Sequence, residues 1–293
     1  MAILFDYSIN FSTNSNNYTE LPFSVFGLTQ EGLMHRVGSI GNQDASHVFL
    51  GKKIIIGAVS DGCTGGSNLN GYSYNQVGAS LLSFLSVRLT KKILLIRKKS
   101  IEELHNELQN ELILNMKRII NVINPWKKEE QSIRNNFLTA TIILFVITPE
   151  KFVVLSCGDG DIFVNGNWIS LENESRNYIS AYMDNNLLNR EIIKLKSIGF
   201  TKDLNSLIIS TDGFIDKGIS NLDEFSDFFN STDNTLYNDT GFIDLKSNFR
   251  TKLLQAILKE KNGIIWPKDD ATFISIKKIT KSQSIWKDKI VLL

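Results

Sequence analysis

The stretch Ile54-Ile55-Ile56-Gly57-Ala58-Val59-Ser60-Asp61-Gly62 carries an apolar run into a small polar residue, a carboxylate and a glycine. The pattern returns in Phe152-Val153-Val154-Leu155-Ser156-Cys157-Gly158-Asp159-Gly160 and in Leu207-Ile208-Ile209-Ser210-Thr211-Asp212-Gly213. A short apolar run bounded by a turn signal reads as a buried strand. A strand that ends on a carboxylate brings a charge whose hydration burial removes. For one such Asp-Gly an Asx turn is a sufficient reason. Three of them, with Asp44 in Asn42-Gln43-Asp44-Ala45 and the pair Asp269-Asp270 ahead of a further apolar run, open a second reading. Carboxylates arriving from several strand ends could converge, and such a cluster needs cations to neutralise it. Spacing leaves both readings open and does not identify a reaction.

The donor types narrow the cation. Hard oxygen ligands suit Mg²⁺, Mn²⁺ or Ca²⁺. Zinc is disfavoured, because the chain has only three His (His35, His47, His105) and two Cys, with no paired ligand spacing.

Around these corners the chain alternates strands with two long helices. Val48–Leu50 and Ile54–Val59, joined at Gly51-Lys52-Lys53, read as a hairpin. Strands are predicted at 137–148, 152–156, 162–164 and 168–171, with turns at Pro149-Glu150-Lys151, Gly158-Asp159-Gly160 and Asn165-Gly166-Asn167. Later strands are predicted at 191–195, 206–210 and 272–276. Hairpin spacing of this kind implies antiparallel sheet. Apolar residues three or four apart predict helices over 77–96, through Val77, Leu81, Phe84 and Leu85, and over 101–123, with Ser100 as N-cap and Pro125 beyond the end. A third helix is expected at 245–258, and a short helix plus loop at 221–240. No boundary interrupts this order, so one α+β domain is expected over 1–293, with its motifs between about 30 and 280.

Composition agrees with a globular chain: 293 residues, 42% hydrophobic and 22% charged. The 32 Lys+Arg against 31 Asp+Glu give a net charge of +1, which favours neither a nucleic-acid binder nor a polybasic membrane anchor. No apolar stretch reaches the ~18 residues of a membrane span. The first residues lack a basic, apolar leader, and two cysteines do not make a disulfide framework, so a cytoplasmic setting is expected.

Taken in order, Asn42-Gln43-Asp44-Ala45, Val59-Ser60-Asp61-Gly62, Gly158-Asp159-Gly160, Ser210-Thr211-Asp212-Gly213-Phe214 and Asp269-Asp270-Ala271-Thr272 resemble the motifs of the metal-dependent, 2C-type serine/threonine protein phosphatases. Gly32-x-x-His35, with His35 nine residues before Asp44, is closest to the bacterial branch. The resemblance implies a four-layer α-β-β-α sandwich of two antiparallel sheets flanked by helices. It implies a centre of two Mg²⁺ or Mn²⁺ ions held by Asp44, Asp61, the Gly62 carbonyl, Asp212 and Asp269, with a third ion near Asp159. Asp269 is favoured over Asp270 because it lies three residues before Thr272. The resemblance further implies that a metal-activated water attacks phosphoserine or phosphothreonine of a protein substrate without a phosphoenzyme, opposing a serine/threonine kinase.

Three positions depart from the pattern or leave a role open. Relatives place a phosphate-binding Arg five residues before the first metal Asp, where this chain has Ser39; Arg36, eight before, is the candidate, with a solvated turn as the alternative. Cys63 follows the second Asp-Gly, either as a proton donor or as a packing residue. His35 either orients a ligand or the Arg36 loop, or is a structural histidine. An inert phosphatase-like binding domain and a small phosphate-ester hydrolase remain the competing functions, and the oligomeric state is left open.

Overall fold

A computed structural model describes residues 20–32, 35, 41–63, 74–124, 130–171, 178–183, 191–214 and 269–278. In chain order these form β1 (Phe23–Gln30), β2 (Ala45–Gly51), β3 (Ile54–Ser60), α1 (Gln76–Lys91), α2 (Leu104–Ile123), α3 (Glu130–Phe137), β4 (Ile142–Ile147), β5 (Lys151–Cys157), β6 (Asp161–Val164), β7 (Asn167–Ser170), β8 (Lys194–Phe200), β9 (Ser206–Ser210) and β10 (Ala271–Lys278). Two antiparallel five-stranded sheets result, ordered β1-β10-β9-β6-β7 and β2-β3-β4-β5-β8.

Every residue of β3 and β4 is buried. That is why these strands read as unbroken apolar runs without alternation. On one face Ile55, Val59, Ile143 and Phe145 pack against Phe23, Ile209, Ile274 and Ile276 of the first sheet. On the other, Ile56, Ala58, Leu144 and Val146 pack against Leu82 of α1 and Leu108, Leu112 and Met116 of α2. The α+β sandwich expected from the sequence is present, with its two sheets face to face and helices outside the second. The helix expected at 245–258 and the segment 221–240 lie outside the described residues.

Several boundaries move. Phe137 ends α3 and does not begin a strand; β4 starts at Ile142. The strand expected at 191–195 is β8, shifted to Lys194–Phe200, an edge strand beside a register irregularity at Val154/Leu155. The first long helix is α-helical to Lys91 and continues as a π turn over Lys92–Ile96. Its buried stripe runs through Gly78, Ala79, Leu82, Ser83 and Ser86, whereas Val77 and Phe84, part of the apolar spacing that predicted the helix, are 48% and 42% exposed. Small residues take that stripe because the helix lies close to its neighbour: a Cβ on Gly78 would stand 2.7 Å from the Phe137 carbonyl oxygen. Helix α2 begins at Leu104, one turn beyond Ser100, whose hydroxyl accepts from the Glu103 N–H at 3.3 Å. Strand β1, absent from the sequence reading, pairs along its whole length with β10. Among the described residues no helix is long and apolar enough to cross a membrane.

Candidate metal centre

Antiparallel register brings the acidic corners to one end of the sandwich. Asp44 precedes β2 and Asp61 follows β3, and the pairing Ala45↔Ser60 sets them side by side. Asp159 sits between β5 and β6, Asp212 follows β9, and Asp269-Asp270 precede β10. The pairs Ile142↔Cys157, Asp161↔Ser210 and Phe273↔Ser210 put these ends at the same edge. Carboxylate oxygens of Asp61, Asp159 and Asp212 lie within 4.8 Å of one another. Asp159 is set between two glycines of positive φ, Gly158 at 97° and Gly160 at 122°, a backbone that side chains other than hydrogen rarely tolerate.

The charges in this end are strongly perturbed. Burial pushes Asp44 up to about 8, and the Asp270 carboxylate adds to the shift. The Thr211 hydroxyl opposes it, donating to Asp44 Oδ2 at 2.7 Å. Asp44 Oδ1 is buried without a hydrogen-bond partner, although Thr272 and Asp61 are near enough to act on its charge. Asp61 is held well above the ordinary carboxylate range, first by burial and then by Asp44, Asp212, Asp269 and Asp159. Four carboxylates thus act on a fifth. Asp159 is also raised by burial.

Hydrogen bonds fix the backbone that carries these acids. The Asp61 N–H donates to Thr141 Oγ1 at 3.2 Å, and the Thr141 N–H returns to the Asp61 carbonyl at 2.9 Å. The Gly62 N–H donates to the Gln43 carbonyl at 3.1 Å. A Cβ on Gly62 would stand 2.8 Å from that oxygen and 2.6 Å from the Asn75 carbonyl oxygen, so only glycine lets the Asp44 and Asp61 loops approach this closely. Thr211 is doubly engaged: its hydroxyl accepts from the Thr272 N–H at 2.9 Å while donating to Asp44.

The neighbouring acids Asp269 and Asp270 differ. The Asp269 side chain is 58% exposed and its charge acts on Asp61. Asp270 is buried and accepts from the Gly32 N–H at 2.6 Å, from His35 Nδ1 at 2.7 Å and from the Gln43 N–H. Burial raises Asp270, and these donors offset the shift.

Residues 31–258 match the family model of Protein phosphatase 2C, well over half of the sequence. The chain belongs to the protein phosphatase 2C family. Its class is therefore that of the protein serine/threonine phosphatases. Among solved structures it is similar to a bacterial serine phosphatase, at 14% identity and TM-score 0.53, over 91% of this chain and 99% of that one. A substituted form of a bacterial serine phosphatase gives 15% identity and TM-score 0.53, over 87% and 97%. At such identities the likeness concerns the fold. No curated protein sequence matches this phosphatase.

Of the site residues expected from the sequence, the phosphatase fold brings Asp44, Asp61, Asp159, Asp212 and Asp269 together at one end, with Gly62 between them. His35 is buried against Asp270, and Arg36 lies outside the described residues. Cys63 is half-buried, with Sγ 3.9 Å from Asp61 Oδ2. Burial and then the Asp61 charge push its thiol far up, so it holds its proton tightly, a poor match for acid catalysis near neutral pH.

The sequence reading missed the neutral side chains that build this end: Thr211, Thr141 and Asn75, and Tyr178. Asn75 donates to the Cys63 carbonyl and accepts from the Thr139 N–H at 3.1 Å. Tyr178, within the polar segment after β7, places its hydroxyl against the Cys63 thiol. Of these, Thr211 alone carried a sequence signal, as part of Ser-Thr-Asp-Gly.

Proposed function

We propose that this chain is a Mg²⁺- or Mn²⁺-dependent phosphatase that hydrolyses phosphoserine and phosphothreonine in proteins. The supporting observation is the convergence of four other carboxylates on Asp61. Mutual repulsion of this kind raises the free energy of the metal-free state, and a divalent cation relieves it. The residues fit such an ion: the donors are hard oxygens, and Asp44 Oδ1 is a buried acceptor with no protein hydrogen bond.

In this reading Asp44, Asp61, Asp212, Asp269 and the Gly62 carbonyl hold two ions, and Asp159 helps to hold a third. Bound there, the ions supply an acidified water as nucleophile and neutralise charge on the phosphoryl group. The protein's own residues hold and orient. Thr211 keeps Asp44 ionisable and aimed, and Thr141 locks the Asp61 backbone. Burial favours the protonated forms of Asp44 and Asp61 in the metal-free chain, and bound cations would favour the ionised forms. Asp270 has three donors on its two oxygens and is the weaker ligand candidate of the closing pair. The reading extends to one phosphatase domain across 1–293, with a cytoplasmic signalling role opposing a serine/threonine kinase of a bacterial type.

The test is Asp61→Asn or Asp212→Asn assayed on a phosphoserine peptide. Loss of turnover is expected in both. Undiminished turnover in either would remove that residue from the centre.

A further inference from the structure

We propose that His35 and Asp270 form a positioning pair, holding the segment that delivers Asp44 against the strand that delivers Asp269. The proposal rests on the metal-centre reading above and concerns residues outside the ligand set.

Three donors from one segment converge on the Asp270 carboxylate from more than two hundred residues away in sequence. The Gly32 N–H reaches Oδ1 at 2.6 Å, His35 Nδ1 reaches Oδ2 at 2.7 Å, and the Gln43 N–H also reaches Oδ2. The side chain of Asp270 is 2% exposed and that of His35 10%. These bonds are therefore shielded from water, where losing a donor leaves a charged acceptor undersatisfied. Their placement gives them a consequence. Gln43 is the residue before Asp44, and Asp270 is the residue after Asp269. A shift of Asp270 relative to Gln43 is thus transmitted across one peptide unit on each side to the spacing of Asp44 and Asp269.

Close backbone contacts reinforce the joint. A Cβ on Gly32 would stand 2.3 Å from the Asp269 carbonyl carbon, and one on Gly213 would stand 1.8 Å from the Asp270 carbonyl oxygen. The loop carrying Asp212 is therefore seated on the same pair of residues. His35 Nε2 stands 3.6 Å from Asp269 Oδ1, beyond hydrogen-bond reach, so the ring flanks Asp269 while bonding Asp270. Residues that orient metal ligands in this way typically change metal affinity when altered.

The test compares Mn²⁺ binding by calorimetry on metal-stripped chains: native, His35→Phe and His35→Asn. Phe keeps ring volume without a donor. Asn sets an amide N–H at the same number of bonds from Cβ as Nδ1. The expected result is a Kd raised about 10–100-fold in His35→Phe, close to native in His35→Asn, with kcat at saturating Mn²⁺ near native in both. Equal affinity in all three chains, or equal weakening in both variants, overturns the pair while leaving the metal centre standing. If His35→Phe does not fold, Asp270→Asn, which turns an amide N–H against one of the three donors, should show the same weakening; unchanged affinity overturns the proposal. A native chain that binds no Mn²⁺ overturns both the pair and the metal-centre reading.

Discussion

The middle of the sandwich and its acidic end are built from the same strands by opposite physics. Midway along the sheets Ile55, Phe145 and Ile274 are wholly buried, and each such side chain contributes roughly 1.5–3 kcal/mol of burial. At the end of those strands Asp44, Asp61, Asp159, Asp212 and Asp269 crowd together; burial raises Asp44, Asp61 and Asp159, and the other four carboxylates raise Asp61 further. The first region stabilises the fold without chemistry. The second is a strain that the first region supports, held in place by directed hydrogen bonds from Thr211, Thr141 and Asn75. Substitutions in the two regions should therefore separate stability from function.

The largest separation is expected at Asp61. Asp61→Asn should abolish phosphopeptide hydrolysis while the metal-free chain melts at the native temperature or above, because a buried carboxyl whose ionisation burial and its neighbours oppose gives way to a neutral amide. A melting point that falls with activity would show that Asp61 supports the fold as much as the site. Phe145→Ala should do the reverse, costing about 3–5 kcal/mol in urea unfolding while the folded fraction keeps its native Mn²⁺ affinity. Thr211→Val, close to isosteric, withdraws the hydroxyl from Asp44. It should weaken Mn²⁺ binding by about tenfold, as read by calorimetry, with a small change in stability.

The smallest effect is a pH dependence. Asp44 titrates at about 8 in the folded chain against an ordinary 3.8. Between these values the folded state keeps a proton that the unfolded state has lost, so stability falls as pH rises through this window. Asp61, Asp159 and Asp270 are shifted the same way. An EDTA-treated chain should melt higher at pH 6 than at pH 9. Saturating Mn²⁺ should reduce or reverse the difference, since the bound carboxylates are then ionised.

The same contrast decides what the sequence could reveal. Strands buried on both faces announce themselves as apolar runs, so β3, β4, β5 and β9 were legible, and the Asp-Gly ends marked three of the converging acids. Edge elements carried weaker signals. β1 has Phe23 and Val25 inside, but Gly27 breaks its pattern, and β8 leaves Leu195, Ile198 and Phe200 exposed beside an irregular register. Helix α3 buries Arg134 and Asn136, which no apolar stripe would suggest. Asp269 and Asp270 are the same residue type in adjacent places. The spacing to Thr272 separated them by motif, but the donors from Gly32, His35 and Gln43 that saturate Asp270 are remote in sequence.

The most direct measurement is hydrolysis of a phosphoserine peptide by the metal-stripped chain, first in EDTA and then with Mn²⁺ restored. A metal-centred phosphatase predicts no turnover in EDTA, recovery with Mn²⁺ in the native chain, and none in Asp61→Asn. Turnover that persists undiminished in EDTA would contradict the metal centre at the end of the sandwich.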